Sequence, residues 1–155
     1  MGIFISDIIR MKKMSASKTE IIEFLKQSFP QTENKFSIDD VGHRSATLTY
    51  HIDYHALRPG GTVSGPTLMT AADIVLYIAL LGEIGLVALA VTTNLNINFL
   101  KKPSGQHDIE AQCKLIKVGK TLAVGEVWLY SKGDDEPVAH VVGTYAIPKT
   151  EKSPT

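Results

Sequence analysis

Apolar residues first recur at helical spacing in the segment that follows residue 17. The positions that would share one helix face are Ile21, Ile22, Leu25 and Phe29. Ser17 and Glu20 stand three residues apart, which is the spacing of a capping box at a helix start. Pro30 follows directly and favours a stop. The pattern predicts a helix from about Lys18 to Phe29.

The longest apolar stretch spans residues 64–82 and reads SGPTLMTAADIVLYIALLG. Pro66 suits the first turn of a helix, because proline lacks an N–H group that would be unpaired there. Hydrophobic residues occupy nearly all sides, and Asp73 is the only charged residue before the expected stop at Gly82. Such a helix must be covered on most sides. Since about 20 residues are needed to cross a bilayer, we predict a core helix and no membrane span.

Alternating residues predict strands on both sides of this helix. Two strand-like runs lie between residues 35 and 52, with a break at Gly42. Residues 91–99 alternate strictly, so that Thr92 is expected on one face with Asn94, Asn96 and Asn98, opposite Val91, Thr93, Leu95, Ile97 and Phe99. Three further strands are predicted at 109–115, 121–130 and 137–147, joined by short turns that make them antiparallel neighbours. The predicted fold class is α+β, with an antiparallel sheet around one long apolar helix.

Composition narrows the function classes. Lys plus Arg and Asp plus Glu each number 16, so there is no basic excess for nucleic-acid binding. The lone Cys113 forms no internal disulfide, and the histidines show no metal-site spacing. We expect a cytoplasmic protein with no metal. The predicted organisation is a flexible leader at 1–16, a single domain at 17–148 and a disordered tail at 149–155.

Several short motifs follow one another in a characteristic order. A glycine-rich loop leads into Ser64-Gly65 at the helix start, and an acid follows eight residues later in Ala72-Asp73. The strand VTTNLNINFL ends in Lys-Lys-Pro, a VGKTL turn spans 118–122, and the last strand contains VAHVVGTY. Over about residues 35–148 the chain therefore resembles the hotdog-fold thioesterases of the phenylacetate-degradation, or PaaI-like, group.

The resemblance implies a hotdog fold, hydrolysis of acyl-CoA thioesters, and a homodimer or a tetramer built from two dimers. It implies no cofactor, because coenzyme A arrives as part of the substrate. Gly65 would supply the backbone N–H that polarises the thioester carbonyl, Asp73 would be the nucleophile or general base, and Thr92 would help to place the attacking water. The implied substrate-binding residues are Arg58, Ser64, Pro66 and Asn94, with Lys101, Lys102 and Lys120 as contacts for the CoA phosphates.

Elementary geometry adds a constraint on such a site. A helix N-terminus offers free N–H groups to a developing oxyanion, so Gly65 is well placed. Asp73 lies eight residues further, or about 12 Å along a helix. One thioester carbon cannot touch both ends of that span. If both residues act on one substrate, they must come from two subunits.

Alternatives remain open at this point. PaaI-like proteins usually have His-Gly-Gly at the helix start and an Asn six residues earlier, where this chain has Ser64-Gly65-Pro66 and Arg58. The alternative function is a non-catalytic acyl-CoA-binding hotdog protein. A hydratase or dehydratase ranks last, since the central helix carries no histidine. Asp73 could serve only to hold a dimer together, and Gly65 only to permit close packing.

Overall fold

The computed structural model describes residues 15–149. The predicted leader and tail lie outside the described residues, apart from Ser15, Ala16 and Lys149. The Ser15 N–H donates to the Gly82 carbonyl at 2.9 Å, and Ala16 is buried. Ala16 thus packs in the core and Ser15 is hydrogen-bonded to Gly82, although the sequence patterns place both residues in the leader.

Helix α1 spans Lys18–Ser28, and Phe29 is its C-cap. The predicted capping box is present: the Glu20 N–H donates to Ser17 Oγ at 3.2 Å, and the Ser17 N–H donates to Glu20 Oε1 at 3.1 Å. Its buried residues are Ile21 and Leu25, which belong to the predicted apolar face. Helix α1 packs on the central helix and on the first strand.

Helix α2 spans Gly65–Ile84 and is the central helix. The prediction that Gly82 ends it is wrong, because the chain stays helical for two more residues and turns at Gly85, where φ is 102°. Gly82 instead permits close packing, since a Cβ there would lie 2.8 Å from Val41 Cγ1. The longer helix includes Glu83, so the expectation that Asp73 is its only charged residue is also wrong.

Helix α2 is long and apolar enough to cross a membrane by length and composition alone, with a mean hydropathy of 1.7 in its most apolar window. No other helix among residues 15–149 passes that test. Within the folded chain, 61% of the window is buried against the protein itself. This burial agrees with the predicted core helix.

Within residues 15–149, six antiparallel strands form one sheet, in the order β1-β2-β4-β5-β6-β3. The strands are β1 (Phe36–Gly42), β2 (Ser45–Tyr50), β3 (Val91–Phe99), β4 (Ile109–Val118), β5 (Leu122–Ser131) and β6 (Pro137–Ala146). Two short 3-10 helices, Pro30–Thr32 and Tyr54–Ala56, lie in the connections. Helix α2 contacts all six strands. The predicted α+β hotdog fold, an antiparallel sheet around one long helix, is confirmed.

Strand β3 departs from the strict alternation that its sequence predicts. A bulge between Thr92 and Asn94 leaves Thr93 unpaired with β6. Thr92 consequently faces helix α2, where its hydroxyl contacts Asp73. Leu95 also faces the helix, beside Leu76 and Gly143. The expectation that Thr92 shares a face with the asparagines and lies opposite Leu95 is therefore wrong, because the extra residue reverses the alternation.

Helix α2 makes a close contact with the sheet at two paired glycines. Gly125 on β5 and Gly143 on β6 are cross-strand partners. A Cβ at these positions would lie 2.7 and 2.5 Å from the methyl carbons of Leu76, which is 1% exposed. The absence of side chains on both strands lets Leu76 sit directly on the sheet backbone. This contact fixes how close helix α2 lies to the sheet at Leu76, three residues after Asp73.

Candidate active site

Asp73 lies on helix α2 and is partly buried under strands β3 and β6. Thr92 Oγ1 donates to Asp73 Oδ1 at 2.5 Å. The hydroxyl of Tyr145 donates to the same Oδ1 at 2.7 Å and lies 3.0 Å from the Asp73 carbonyl oxygen. The carboxylate is therefore held from the two strands at once. The β3 bulge aims the Thr92 hydroxyl at it, which is a common use of bulges near functional sites.

Tyr145 is a functional candidate that the sequence patterns do not single out. It is buried on strand β6, 72 residues from Asp73 along the chain. Burial, and then the charge of the nearby Asp73 carboxylate, raise the pKa of Tyr145. Its phenol thus stays protonated and remains a donor at neutral pH. The sequence offers one signal for Tyr145: it follows positions 141 and 143 at the two-residue spacing of a strand, which places all three on the same buried face.

An apolar cavity of about 430 Å³, the Asp73 cavity, opens beside this carboxylate. Helix α1 and the segment after it form one wall, and helix α2 with strand β3 forms the other. The apolar lining includes Phe29, Phe36, Ile74, Tyr77 and Val91. Asp73 is the charged group in the lining, and the hydroxyl-bearing residues there are Thr32, Tyr77, Thr92 and Tyr145. A largely apolar cavity with one carboxylate in its lining suits a ligand that has an apolar group next to a polar centre.

The start of helix α2 presents one free backbone donor. Pro66 has no N–H, and the Thr67 N–H donates to Ser64 Oγ at 3.3 Å. The Gly65 N–H has no hydrogen-bond partner among residues 15–149. Gly65 lies against Phe99, whose ring would be 3.1 Å from a Cβ at residue 65. Gly65 thus combines a free backbone donor with close packing. Its two interpretations, as a donor to an oxyanion and as a residue that only permits close packing, therefore both have a structural basis.

A second cavity of about 600 Å³, the Gly65 cavity, has Gly65 in its lining. Its lining includes Arg58, Gly65, Phe99, Lys101 and Lys102. It shares no lining residue with the Asp73 cavity. Within one chain, Gly65 and Asp73 therefore face different spaces, as the helix length predicts.

The other predicted site residues fall into different surroundings. The Ser64 hydroxyl caps helix α2 and contacts Thr67 Oγ1 at 2.7 Å, while Pro66 is exposed, and neither lines the two cavities. Asn94 is exposed on strand β3. Lys120 is exposed in the turn before β5, at the end of the sheet where Ala146 pairs with both Val91 and Leu122, far from Lys101 in the same chain.

Sequence comparison identifies the family. A model of the thioesterase superfamily matches residues 60–138. A candidate thioesterase from Silicibacter sp. TM1040 is 39% identical with a TM-score of 0.81, over 89% of this chain and 96% of that chain. The chain belongs to the thioesterase superfamily. The predicted resemblance to the PaaI-like hotdog thioesterases is thereby confirmed, and membership supports a thioesterase-type hydrolase function.

More distant thioesterase-superfamily structures share the fold. Zebra fish thioesterase superfamily member 2 has a TM-score of 0.76 at 18% identity, over 86% of this chain and all of that chain (100%). The Escherichia coli PaaI protein from the phenylacetic acid degradation operon has a TM-score of 0.70 at 18% identity, over 81% and 94% of the two chains. No curated protein matches the chain.

The cationic side chains near the Gly65 cavity of this thioesterase-superfamily chain differ in whether they have an acidic partner. Lys101 Nζ donates to Asp134 Oδ2 at 2.7 Å and lies 3.4 Å from Glu136 Oε2. The hydrogen bond from Lys101 and the Glu136 N–H lower the pKa of Asp134. Lys102 and Arg58 are exposed, and their side chains have no partner among residues 15–149.

Among residues 15–149, no group of three or more His, Cys, Asp or Glu side chains could hold a metal ion.

Proposed function

We propose that this protein is an acyl-CoA thioesterase that works as a homodimer. The observation that carries the proposal is the Asp73 carboxylate, which two hydroxyls hold beside an apolar cavity. The acyl group occupies the Asp73 cavity. The Gly65 N–H of the partner subunit binds the thioester oxygen.

The proposed reaction uses Asp73 as the general base. Asp73 takes a proton from a water molecule while the water oxygen bonds to the thioester carbon. The carbonyl oxygen becomes an oxyanion that accepts a hydrogen bond from the partner's Gly65 at a helix N-terminus. The intermediate collapses, the C–S bond breaks, and the thiolate of CoA takes the proton to leave as the thiol. Direct attack by the carboxylate, followed by hydrolysis of the resulting anhydride, uses the same groups.

Strand β3 supports the dimer in this proposal. Among the described strands it lies at an edge of the sheet, so one side of its backbone pairs with no other strand of residues 15–149. Its first residues contact Asp73 through Thr92, and its last residue, Phe99, packs on Gly65. If β3 pairs antiparallel with β3 of a second copy, the two strands run in opposite directions on either side of the two-fold axis. Each Gly65 then approaches Asp73 of the partner subunit, and two equivalent sites form. Association of two such dimers into a tetramer stays a prediction.

The same pairing favours a CoA site at the subunit boundary. Arg58 and Lys102 line the Gly65 cavity without competing partners in the described chain. Lys120 lies at the Asp73 end of the sheet, so in a β3-paired dimer it comes from the subunit that supplies Asp73, whereas Arg58 and Lys102 come from the subunit that supplies Gly65. These cations suit the phosphates of CoA. Lys101 contributes less, because two carboxylates already hold it. The proposed reaction needs no metal or separate cofactor, and we place the enzyme in the cytoplasm.

The direct test is release of CoA thiol from short, medium, long and aryl acyl-CoAs. Wild type should turn over at least one class, and Asp73→Asn should lose turnover by orders of magnitude. Asp40→Asn is the matched control, because Asp40 is an exposed aspartate on β1. The protein adds little thiol background: Cys113 is buried, and burial raises its pKa to about 12.

A second candidate, a non-catalytic acyl-CoA-binding protein, has one observation in its favour. The side chain at position 64, where PaaI-like proteins usually have histidine, caps the helix and lines neither cavity. This candidate predicts that wild type binds acyl-CoA without releasing thiol and that Asp73→Asn keeps the affinity. Equilibrium binding of a labelled acyl-CoA, measured beside thiol release, separates the two functions.

A further inference from the structure

Two hydroxyl groups converge on one oxygen of the Asp73 carboxylate. Thr92 Oγ1 and Tyr145 Oη lie 2.5 and 2.7 Å from Oδ1. A carboxylate offers about two lone-pair sites on each oxygen, so these donors occupy both sites on Oδ1. Oδ2 accepts no hydrogen bond from residues 15–149. The two oxygens are therefore not equivalent, and only Oδ2 is free to react.

Tyr145 is a well-fixed donor. Its ring is 6% exposed and stacks on Tyr77, with centroids 5.9 Å apart and planes 16° apart. Tyr77 is itself anchored, since its hydroxyl donates to the Val87 carbonyl at 2.6 Å. The Tyr145 hydroxyl also lies 3.0 Å from the Asp73 carbonyl oxygen. One rigid phenol thus contacts both the side chain and the main chain of Asp73, which restricts rotation of the carboxylate.

We infer that Tyr145 is a positioning residue of the thioesterase site: it holds Oδ1 together with Thr92, so that Oδ2 is the oxygen that takes the proton from water or attacks the thioester. The inference rests on the proposed function of Asp73. Its physical basis is orientation, because a catalytic group must be kept within about 10–20° of its productive geometry.

A purely structural role for Tyr145 makes different predictions. If the Tyr145–Asp73 hydrogen bond only links β6 to α2, its removal would lower the free energy of unfolding. The measured kcat would then fall only as far as the fraction of folded protein falls. A positioning role lowers kcat in fully folded protein and leaves KM nearly unchanged, because both hydrogen-bond contacts of the hydroxyl are to Asp73. Removal of one hydrogen bond to a charged group should cost about 10- to 100-fold in kcat.

The test compares Tyr145→Phe with wild type. The phenylalanine ring keeps the stack on Tyr77 and removes only the hydroxyl. We expect kcat to fall about 10- to 100-fold, with KM within about twofold and unchanged circular dichroism. The matched control is Tyr130→Phe, which removes a hydroxyl from strand β5 away from both cavities and should keep wild-type kcat.

Variants at Thr92 sharpen the test. Thr92→Ser keeps a donor and should retain most activity, whereas Thr92→Val removes it. Since each single variant leaves one donor on Oδ1, Thr92→Val combined with Tyr145→Phe should lower kcat by more than the product of the single effects.

The outcomes separate the inference from the proposed function. If Asp73→Asn abolishes turnover but Tyr145→Phe keeps kcat within about twofold, the positioning role is overturned and the thioesterase assignment stands. A loss in Tyr145→Phe that matches its unfolded fraction also overturns that role. If wild type releases no thiol, or Asp73→Asn remains fully active, the proposed function fails and the inference fails with it.

Discussion

Replacing Gly143 with alanine tests how closely helix α2 lies on the sheet. The new methyl carbon would lie 2.5 Å from Leu76 Cδ1 and 3.1 Å from Leu95 Cδ1, inside ordinary van der Waals contact. Both leucines pack in the core, so neither can move away freely. Overpacking of this kind costs about 1–3 kcal/mol. We expect Gly143→Ala to lower the free energy of unfolding by that amount.

The converse change, Leu76→Ala, should cost more. Leu76 is 1% exposed, and the strand positions facing it, Gly125 and Gly143, have no side chains that could fill the space. A buried Leu→Ala change costs about 2–5 kcal/mol, depending on how far the site collapses. We expect the upper half of that range. The double variant should then be less destabilised than the sum by about 1–3 kcal/mol, because the alanine methyl enters the vacated space.

Denaturant unfolding of the four proteins at one protein concentration measures this coupling. The matched control pairs Gly143→Ala with Leu48→Ala. Leu48 is equally buried but lies on β2, three strands from β6, or about 14 Å across the sheet. That pair should be additive. If Gly143→Ala and Leu76→Ala also add to within about 0.5 kcal/mol, Leu76 does not fill the space over the glycines and the reasoning is refuted.

Three further predictions concern assembly, pH and substrate binding. Sedimentation should give a mass of at least twice 16.9 kDa, whereas a strictly monomeric active enzyme would contradict the shared site. Partial burial opposes ionisation of Asp108, but hydrogen bonds from the Ile52 N–H and His51 outweigh it and lower its pKa below the ordinary 3.8. The contribution of ionised Asp108 to stability is therefore present above about pH 4 and is lost as the pH falls through the lowered pKa. The difference in free energy of unfolding between wild type and Asp108→Asn should shrink over that pH range, and a constant difference would disprove this. Lys102→Met should raise KM for acyl-CoA more than Lys101→Met, because Lys101 is already paired with Asp134, and equal KM values would count against the CoA site.

Much of the fold follows from local patterns. The capping box, the apolar stretch and the alternating strands predict both main helices and all six strands, because each signal depends on residues within a turn or a strand. Antiparallel pairing of β4, β5 and β6 follows from their short turns. Gly82 misled because a glycine needed for packing looks the same in sequence as one that ends a helix, and only the contact with Val41 distinguishes them.

The candidate site was partly predictable. Asp73 stands out as a charge in an apolar helix, and the eight-residue spacing from Gly65 already separates the two groups by about 12 Å. The face of Thr92 could not be predicted, because a bulge depends on the register between β3 and β6. The partner of Lys101 is equally hidden, since Asp134 lies 33 residues further along the chain.

By itself, the sequence determined the elements, their order and the two groups at either end of the long helix, because periodicity and helix capping are properties of neighbouring residues. Only the tertiary structure decided what surrounds Asp73. The sheet register brings Tyr145 to the carboxylate from 72 residues away and turns Thr92 toward it. The glycine pair sets how deeply the helix sits against both strands. Which oxygen of Asp73 is free depends on these long-range contacts, and no local pattern encodes them.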